Sequence, residues 1–130
     1  LVLQSGNAAV AILQGVAAQG CLPLVLAAPV VMGINLGSSL PTLLAALVSG
    51  SAAGRRVALF HVLCNAVGVA IFFPLASVLA GLVLDMSSHA VVQVALLHTL
   101  FNLGTSLVEL PFVGIWEKLC RWLVPGDAAA

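Results

Sequence analysis

Two groups of small polar residues interrupt an otherwise apolar sequence, and both have side chains that could bind ions. Gln4, Ser5 and Asn7 lie near the start, and the second group, Gly33–Ser39, reads Gly-Ile-Asn-Leu-Gly-Ser-Ser. Their neutral amide, hydroxyl and carbonyl oxygens suit a hard, weakly held cation such as sodium. Helix N-termini starting near Ser5 and Ser39 would add N–H groups and positive dipole ends for an anion. The two groups therefore predict coupled binding of a cation and an oxyanion.

Helix packing is the alternative explanation for both groups. In membrane proteins, small residues let helices approach closely, and Ser, Asn and Gln side chains form hydrogen bonds across helix interfaces. From the chemistry of the residues alone, an ion site and a packing motif both remain open.

A third polar pattern is an internal repeat with a spacing of 37 residues. The repeated polar and helix-breaking residues are His61, Asn65 and Pro74, matched by His98, Asn102 and Pro111. His and Asn four residues apart share one helix face, and a polar face in a membrane helix normally points into the bundle. These side chains either form hydrogen bonds to neighbouring helices or contact an ion or substrate. Glu109 is a further intramembrane candidate, unless its carboxylate snorkels to the membrane surface.

The composition places these motifs in a membrane protein. Of 130 residues, 62% are hydrophobic and 6% are charged, and the mean hydropathy is +1.24. A soluble domain carries about 25% charged residues. The long apolar runs show no strand-like alternation, so we predict an all-α, polytopic membrane helical bundle. A net charge of zero gives nucleic-acid binding no electrostatic basis.

The apolar runs predict three regions. Residues 1–54 would form a re-entrant hairpin, turning at Gly20–Pro23, and a helix broken at Gly33–Ser39, with Ser38 or Ser39 as the N-cap of the next piece. A pair of poorly bounded spans is the alternative to the hairpin. Residues 55–115 would form two long antiparallel transmembrane helices that break at their prolines. Residues 116–130 would form an interfacial tail anchored by Trp116 and Trp122.

The basic residues predict the orientation in the membrane. Arg55 and Arg56 precede the first long helix, and Lys118 and Arg121 follow the second. Because basic residues concentrate on the cytoplasmic side, we expect both clusters there, in a multi-pass protein of the inner (plasma) membrane.

Together, the motifs resemble the sodium-dependent phosphate cotransporter family. In that family, a Gln-Ser-Ser-Ser motif and a Gly-Ala-Asn-Ile-Gly-Thr-Thr motif occur in each of two inverted repeats. The chain resembles the second repeat with the closing helices of a bacterial member, over roughly residues 3–125. The matching residues are Gln4, Ser5, Gly33, Asn35, Gly37, Ser38, Ser39, His61, Asn65, His98 and Asn102. Gly6 and Asn7 stand where the family motif has two serines.

The resemblance implies secondary active transport of inorganic phosphate coupled to sodium, with no cofactor besides that ion. It places phosphate and ions at Gln4, Ser5, Asn7, Gly33, Asn35, Gly37, Ser38 and Ser39, with sodium at Ser5, Asn35 and Ser38. It gives a supporting role behind that site to His61, Asn65, His98 and Asn102. Because one repeat supplies half of such a site, the expected partner is the missing first repeat or a second copy of the chain.

Other functions fit the sequence less well. A serine hydrolase would need a Gly-x-Ser-x-Gly turn and a carboxylate placed to orient a histidine, and the sequence has neither, so we expect no catalytic residues. A non-transporting membrane scaffold and a carrier of a different small anion remain as alternatives.

Overall fold

The computed structural model describes residues 6–48 and 51–126, and these residues form helices joined by short turns. The α-helices are α1 (Gly6–Ala18), α2 (Leu24–Val48), α3 (Ala52–Phe72), α4 (Ala76–Met86), α5 (Ala90–Glu109) and α6 (Val113–Leu123). Two 3-10 turns, Phe73–Leu75 and Leu110–Phe112, join α3 to α4 and α5 to α6. The predicted all-α membrane bundle is confirmed.

Three helical stretches among the described residues are long and apolar enough to cross a bilayer: Leu24–Val48, Ala52–Met86 and Ala90–Leu123. A span needs ~20 residues, and α1 has 13. Large apolar side chains such as Leu44, Val57 and Leu107 are exposed on the outer surface. Such a surface is suited to contact with lipid.

The core lies where α1, α2, α4 and α5 meet. Its fully buried side chains include Met32, Val83, Leu97 and Phe101. α2 packs most extensively against α3, and α1 packs against α5 and α2. The core therefore fixes α1 against the middle of the bundle, although α1 is too short to span a membrane.

The expected break at Gly33–Ser39 is wrong, because α2 continues through these residues as one helix of 25 residues. Ser38 and Ser39 consequently lie inside the helix and cap nothing. A glycine costs a helix about 1 kcal/mol, but an unsatisfied backbone group in a bilayer costs several. An unbroken helix satisfies more backbone groups, which explains why the glycines do not end it. The expected hairpin of two short helices is replaced by a short helix, α1, and a full-length one.

The turn before α2 agrees with the sequence. Gly20 adopts a φ of +71°, a left-handed conformation that favours glycine, and its N–H donates to the Ala17 carbonyl. Pro23 then accepts the N–H groups of Leu26 and Ala27, which starts α2.

The first long helix begins earlier than Val57, where the apolar run starts. The Ser51 hydroxyl accepts the N–H of Gly54 at 3.2 Å and forms the N-cap of α3. Gly54, Arg55 and Arg56 therefore lie within the helix. The capping hydroxyl explains the shift, because it satisfies an N–H group that the first turn leaves free.

The internal repeat is visible in the fold. Pro74 and Pro111 each lie in a 3-10 turn after a long helix, and a shorter helix follows each turn. Contacts between the two long helices pair Phe72 with Phe101 and Gly68 with Thr105. Residue numbers rise along α3 as they fall along α5, so these two helices are antiparallel.

Candidate functional site

The structure brings Gly6, which lies between Ser5 and Asn7 of the first polar group, against the second polar group. A Cβ atom added to Gly6 would lie 3.1 Å from Ser38 Oγ and 4.0 Å from Ile34 Cγ2. The N-terminal end of α1, as described, therefore meets α2 at Ser38. Asn7, the next residue, is exposed. Gln4 and Ser5 lie outside the described residues.

The donor groups of the polar side chains in α2 are used within the helix itself. Asn35 Nδ2 donates to the Val31 carbonyl at 3.1 Å. Ser38 Oγ donates to the Asn35 carbonyl at 3.0 Å, and Ser39 Oγ donates to the Leu36 carbonyl at 2.6 Å. A side chain whose N–H or O–H group already donates a hydrogen bond still has acceptor lone pairs on its oxygen. These residues therefore offer oxygen atoms to a ligand.

The exposure of these three residues differs. Asn35 and Ser38 are half-buried, whereas Ser39 is fully buried, at 0% exposure. Asn35 and Ser38 can therefore face a ligand, while the Ser39 hydroxyl is enclosed in the bundle. The structure gives Ser39 a role in closing its own turn of α2.

The glycines of α2 lie on an open face. A Cβ atom at Gly33 or Gly37 would find nothing within 4 Å. Pro41 lies inside α2 and has no N–H, so the Gly37 carbonyl lacks its usual helical donor. This face therefore has a free backbone oxygen, and another helix could approach it closely, whereas Asn35, two residues from each glycine, lies on the other side of α2.

A second group of polar residues lines a cavity of about 380 Å³ between α3, α5 and the start of α6. Its lining residues are Phe60, His61, Cys64, Asn65, Asn102, Thr105, Ser106, Glu109, Leu110 and Val113. Three of the four predicted supporting residues, His61, Asn65 and Asn102, thus meet there. His98 is half-buried and is not part of that lining.

The asparagines of the repeat differ in burial. Asn102 is half-buried, and its Nδ2 donates to the His98 carbonyl at 2.7 Å within its own helix. Asn65 is buried, at 9% exposure. As with Asn35, the local hydrogen bond leaves the Asn102 side-chain oxygen available as an acceptor.

The sequence left open whether the Glu109 side chain is buried or reaches the membrane surface, and the structure shows that it is buried. Its side chain does not snorkel to a surface: the residue is 7% exposed, and its Oε1 atom has no hydrogen-bond partner. Cys64 lines the same cavity as Glu109. The internal repeat contained the missing signal, since Cys64 and Glu109 occupy the positions of Phe101 and Phe72, 37 residues away.

The two basic clusters lie at the same end of the bundle. Arg56 Nε donates to the Val124 carbonyl at 2.9 Å, which joins the start of α3 to the end of α6. Arg121 pairs with Glu117 at 2.7 Å on the exposed face of α6. The side of the membrane on which this end lies stays a prediction.

Similar proteins were found in bacteria. Over 124 residues, 95% of the chain, it is 32% identical to "Uncharacterized protein YqeW" of Bacillus subtilis (strain 168) and covers 40% of that protein. Over the same share of the chain, it is 33% identical to "Putative inorganic phosphate export protein YjbB" of Escherichia coli (strain K12), covering 23% of it. The chain therefore spans less than half the length of these relatives. No family model and no solved structure matches it.

Proposed function

We propose that this chain is one repeat of a secondary carrier that moves inorganic phosphate across a membrane, coupled to sodium. One relative and the fold support different parts of this proposal. Similarity to a protein named for phosphate export supports the cargo, and the apolar helices support a place in the membrane. The relatives' names do not mention sodium, so the coupling ion is proposed from the residues and from the motif resemblance.

One observation carries the proposal: Gly6 and Ser38, from polar motifs 32 residues apart, are in contact. A packing motif alone would need only small residues at this point. Here Asn35 and Ser38 also direct their donors into α2 and keep oxygens free. Such oxygens suit a sodium ion.

Phosphate would bind beside this ion, near the N-terminal end of α1. Backbone N–H groups at the first turn of a helix favour an anion, and the exposed Asn7 side chain is adjacent. Gln4 and Ser5 are proposed to complete this part. A sodium ion held by Asn35 and Ser38 would offset the negative charge of the phosphate, which couples the binding of one to the other.

The open face of α2 would receive the other half of the carrier. Gly33 and Gly37 leave it without side chains, so an opposing backbone could approach α2 closely there. The partner would be the missing repeat or a second copy of the chain, as inverted-repeat transporters bind their substrates between repeats.

The test is phosphate flux in proteoliposomes that contain the full-length natural protein. We expect the flux of labelled phosphate to respond to a sodium gradient and not to an equal choline gradient. Ser38→Ala removes an oxygen ligand, and we expect it to reduce the sodium-dependent flux about tenfold or more. Ser77→Ala, on the exposed face of α4, is the matched control and should keep the wild-type flux.

Each half of the proposal can fail separately. A protein that reconstitutes but moves no phosphate in either direction contradicts the carrier. Phosphate flux that is indifferent to sodium contradicts the coupling, and equal flux in Ser38→Ala and Ser77→Ala contradicts the assigned site.

A further inference from the structure

The cavity between α3 and α5 contains a carboxyl group with an unsatisfied oxygen. Glu109 is more than nine-tenths buried, and its Oε1 atom has no hydrogen-bond partner. No lysine or arginine lines this cavity. Arg56 and Arg121 bond to the Val124 carbonyl and to Glu117. Among the described residues that line the cavity, the His61 imidazole is thus the one group that could carry a positive charge beside Glu109.

A buried carboxylate without a counter-charge is costly. Removing such an ion from water costs several kcal/mol unless a charge and hydrogen bonds compensate for it. The Cys64 thiol lines the same cavity, but a thiol is a weak donor. The site must therefore gain a positive charge, either as a proton on Glu109 or His61 or as a metal cation.

The surroundings of Glu109 favour a cation over a proton. Thr105 is 8% exposed, and its Oγ1 atom also lacks a partner. Asn102 has spent its donor on the His98 carbonyl, and its side-chain oxygen is free to accept. Several oxygens around one carboxylate form a ligand set for a hard cation, whereas a proton needs only one. A single carboxylate matches a single positive charge.

The repeat shows that the fold does not require a polar group here. At the equivalent positions, Phe72 and Phe101 close the same helix contact with an edge-to-face pair whose ring centroids are 5.8 Å apart. An apolar pair is therefore compatible with the α3–α5 geometry. The Cys64–Glu109 pair replaces that packing with a cavity and a charge, which favours a ligand over a structural role.

We propose that this cavity binds a monovalent cation of the size of sodium through the Glu109 carboxylate, Thr105 Oγ1 and the side-chain oxygen of Asn102, with Asn65 beside them. This site is distinct from the one proposed on α2, and it does not depend on phosphate being the cargo.

The experiment measures the thermal unfolding midpoint of the full-length protein in detergent, with sodium chloride replacing choline chloride at constant ionic strength. All proteins carry Ser38→Ala, so that the site on α2 contributes little. Because a ligand that binds only the folded state stabilises it, we expect the midpoint to rise with sodium and to saturate. Glu109→Gln should abolish this rise. Glu117→Gln, at an exposed carboxylate, is the matched control and should keep it.

A second pair of variants tests the same site if Glu109→Gln fails to fold. Thr105→Val keeps the side-chain shape against Gly68 but lacks the oxygen, and we expect it to need about tenfold more sodium for the same midpoint. Thr105→Ser keeps the oxygen and should titrate like the parent. A full sodium response in Glu109→Gln overturns the proposal. So does a parent protein that responds to pH but not to lithium, sodium or potassium, since its carboxyl group would then hold a proton.

Discussion

The two ends of the α3–α5 contact occupy equivalent positions in the repeat and differ in chemistry. At one end, Phe72 meets Phe101 edge to face with an interplanar angle of 84°. At the other, Cys64 and Glu109 line a cavity of about 380 Å³. The helix geometry is common to both ends, so it cannot explain the difference. We interpret the aromatic end as the part that stabilises the bundle and the polar end as the part that binds a ligand.

The largest expected effect is at the aromatic end. Phe101 is 1% exposed, and Phe101→Ala would leave a cavity in the core, so we expect it to lower the free energy of unfolding by about 3–5 kcal/mol. Phe73→Ala, at a residue that is 59% exposed, is the control and should change it little. Reversible unfolding in mixed micelles measures both. Equal losses in the two variants would refute the structural role of this end.

The centre of the contact should be sensitive to added volume. A Cβ atom at Gly68 would lie 2.5 Å from Thr105 Cγ2, so Gly68→Ala should overpack the contact and cost about 1–3 kcal/mol in unfolding free energy. Gly81→Ala adds a methyl group where nothing lies within 4 Å and should not destabilise the protein. Adding Thr105→Ala to Gly68→Ala should restore part of the loss. Without such recovery, the close approach of α3 and α5 would be wrong.

The polar end should tolerate an apolar side chain. Glu109→Met has a similar shape and removes a buried polar group whose Oε1 lacks a partner, so we expect the unfolding free energy to change by less than about 1 kcal/mol. The same unfolding assay, run without sodium, checks this. A loss as large as that of Phe101→Ala would make Glu109 a structural residue and remove the contrast between the two ends.

The smallest effect is expected at the exposed ion pair of α6. Glu117 and Arg121 are 60% and 61% exposed, and such a pair four residues apart contributes about 0.3–0.5 kcal/mol to stability. Glu117→Gln should lower the unfolding free energy by no more than this, and high salt should reduce the difference further. A larger effect would mean that α6 packs more tightly than its exposure indicates.

The sequence predicted the fold class, the turn at Gly20 and the helix breaks at Pro74 and Pro111, because each follows from composition or from backbone chemistry. It failed at Gly33–Ser39, where glycine and serine favour a break but Asn35, Ser38 and Ser39 direct their donors back into α2. That outcome depends on the surroundings of the helix, which local residue preferences do not contain.

The candidate sites were predicted in part. The polar motifs identified Asn35 and Ser38, and the repeat identified His61, Asn65 and Asn102, but their grouping depends on how α3 and α5 pack. Glu109 was ambiguous because a glutamate near a helix end can snorkel or be buried. The packing of α6 and the cavity beside it decide whether the Glu109 side chain is buried or snorkels, and the sequence does not specify that packing.

The central claim can be tested most directly by measuring how sodium shifts the thermal unfolding midpoint of Glu109→Met in the Ser38→Ala background, with the unfolding free energy measured on the same preparation. Without sodium, we expect a protein as stable as its Ser38→Ala parent; its midpoint should no longer rise with sodium, while Phe73→Ala in the same background should keep the full rise. A stable Glu109→Met protein that keeps the full sodium response would contradict the claim that the polar end of the α3–α5 contact binds a ligand.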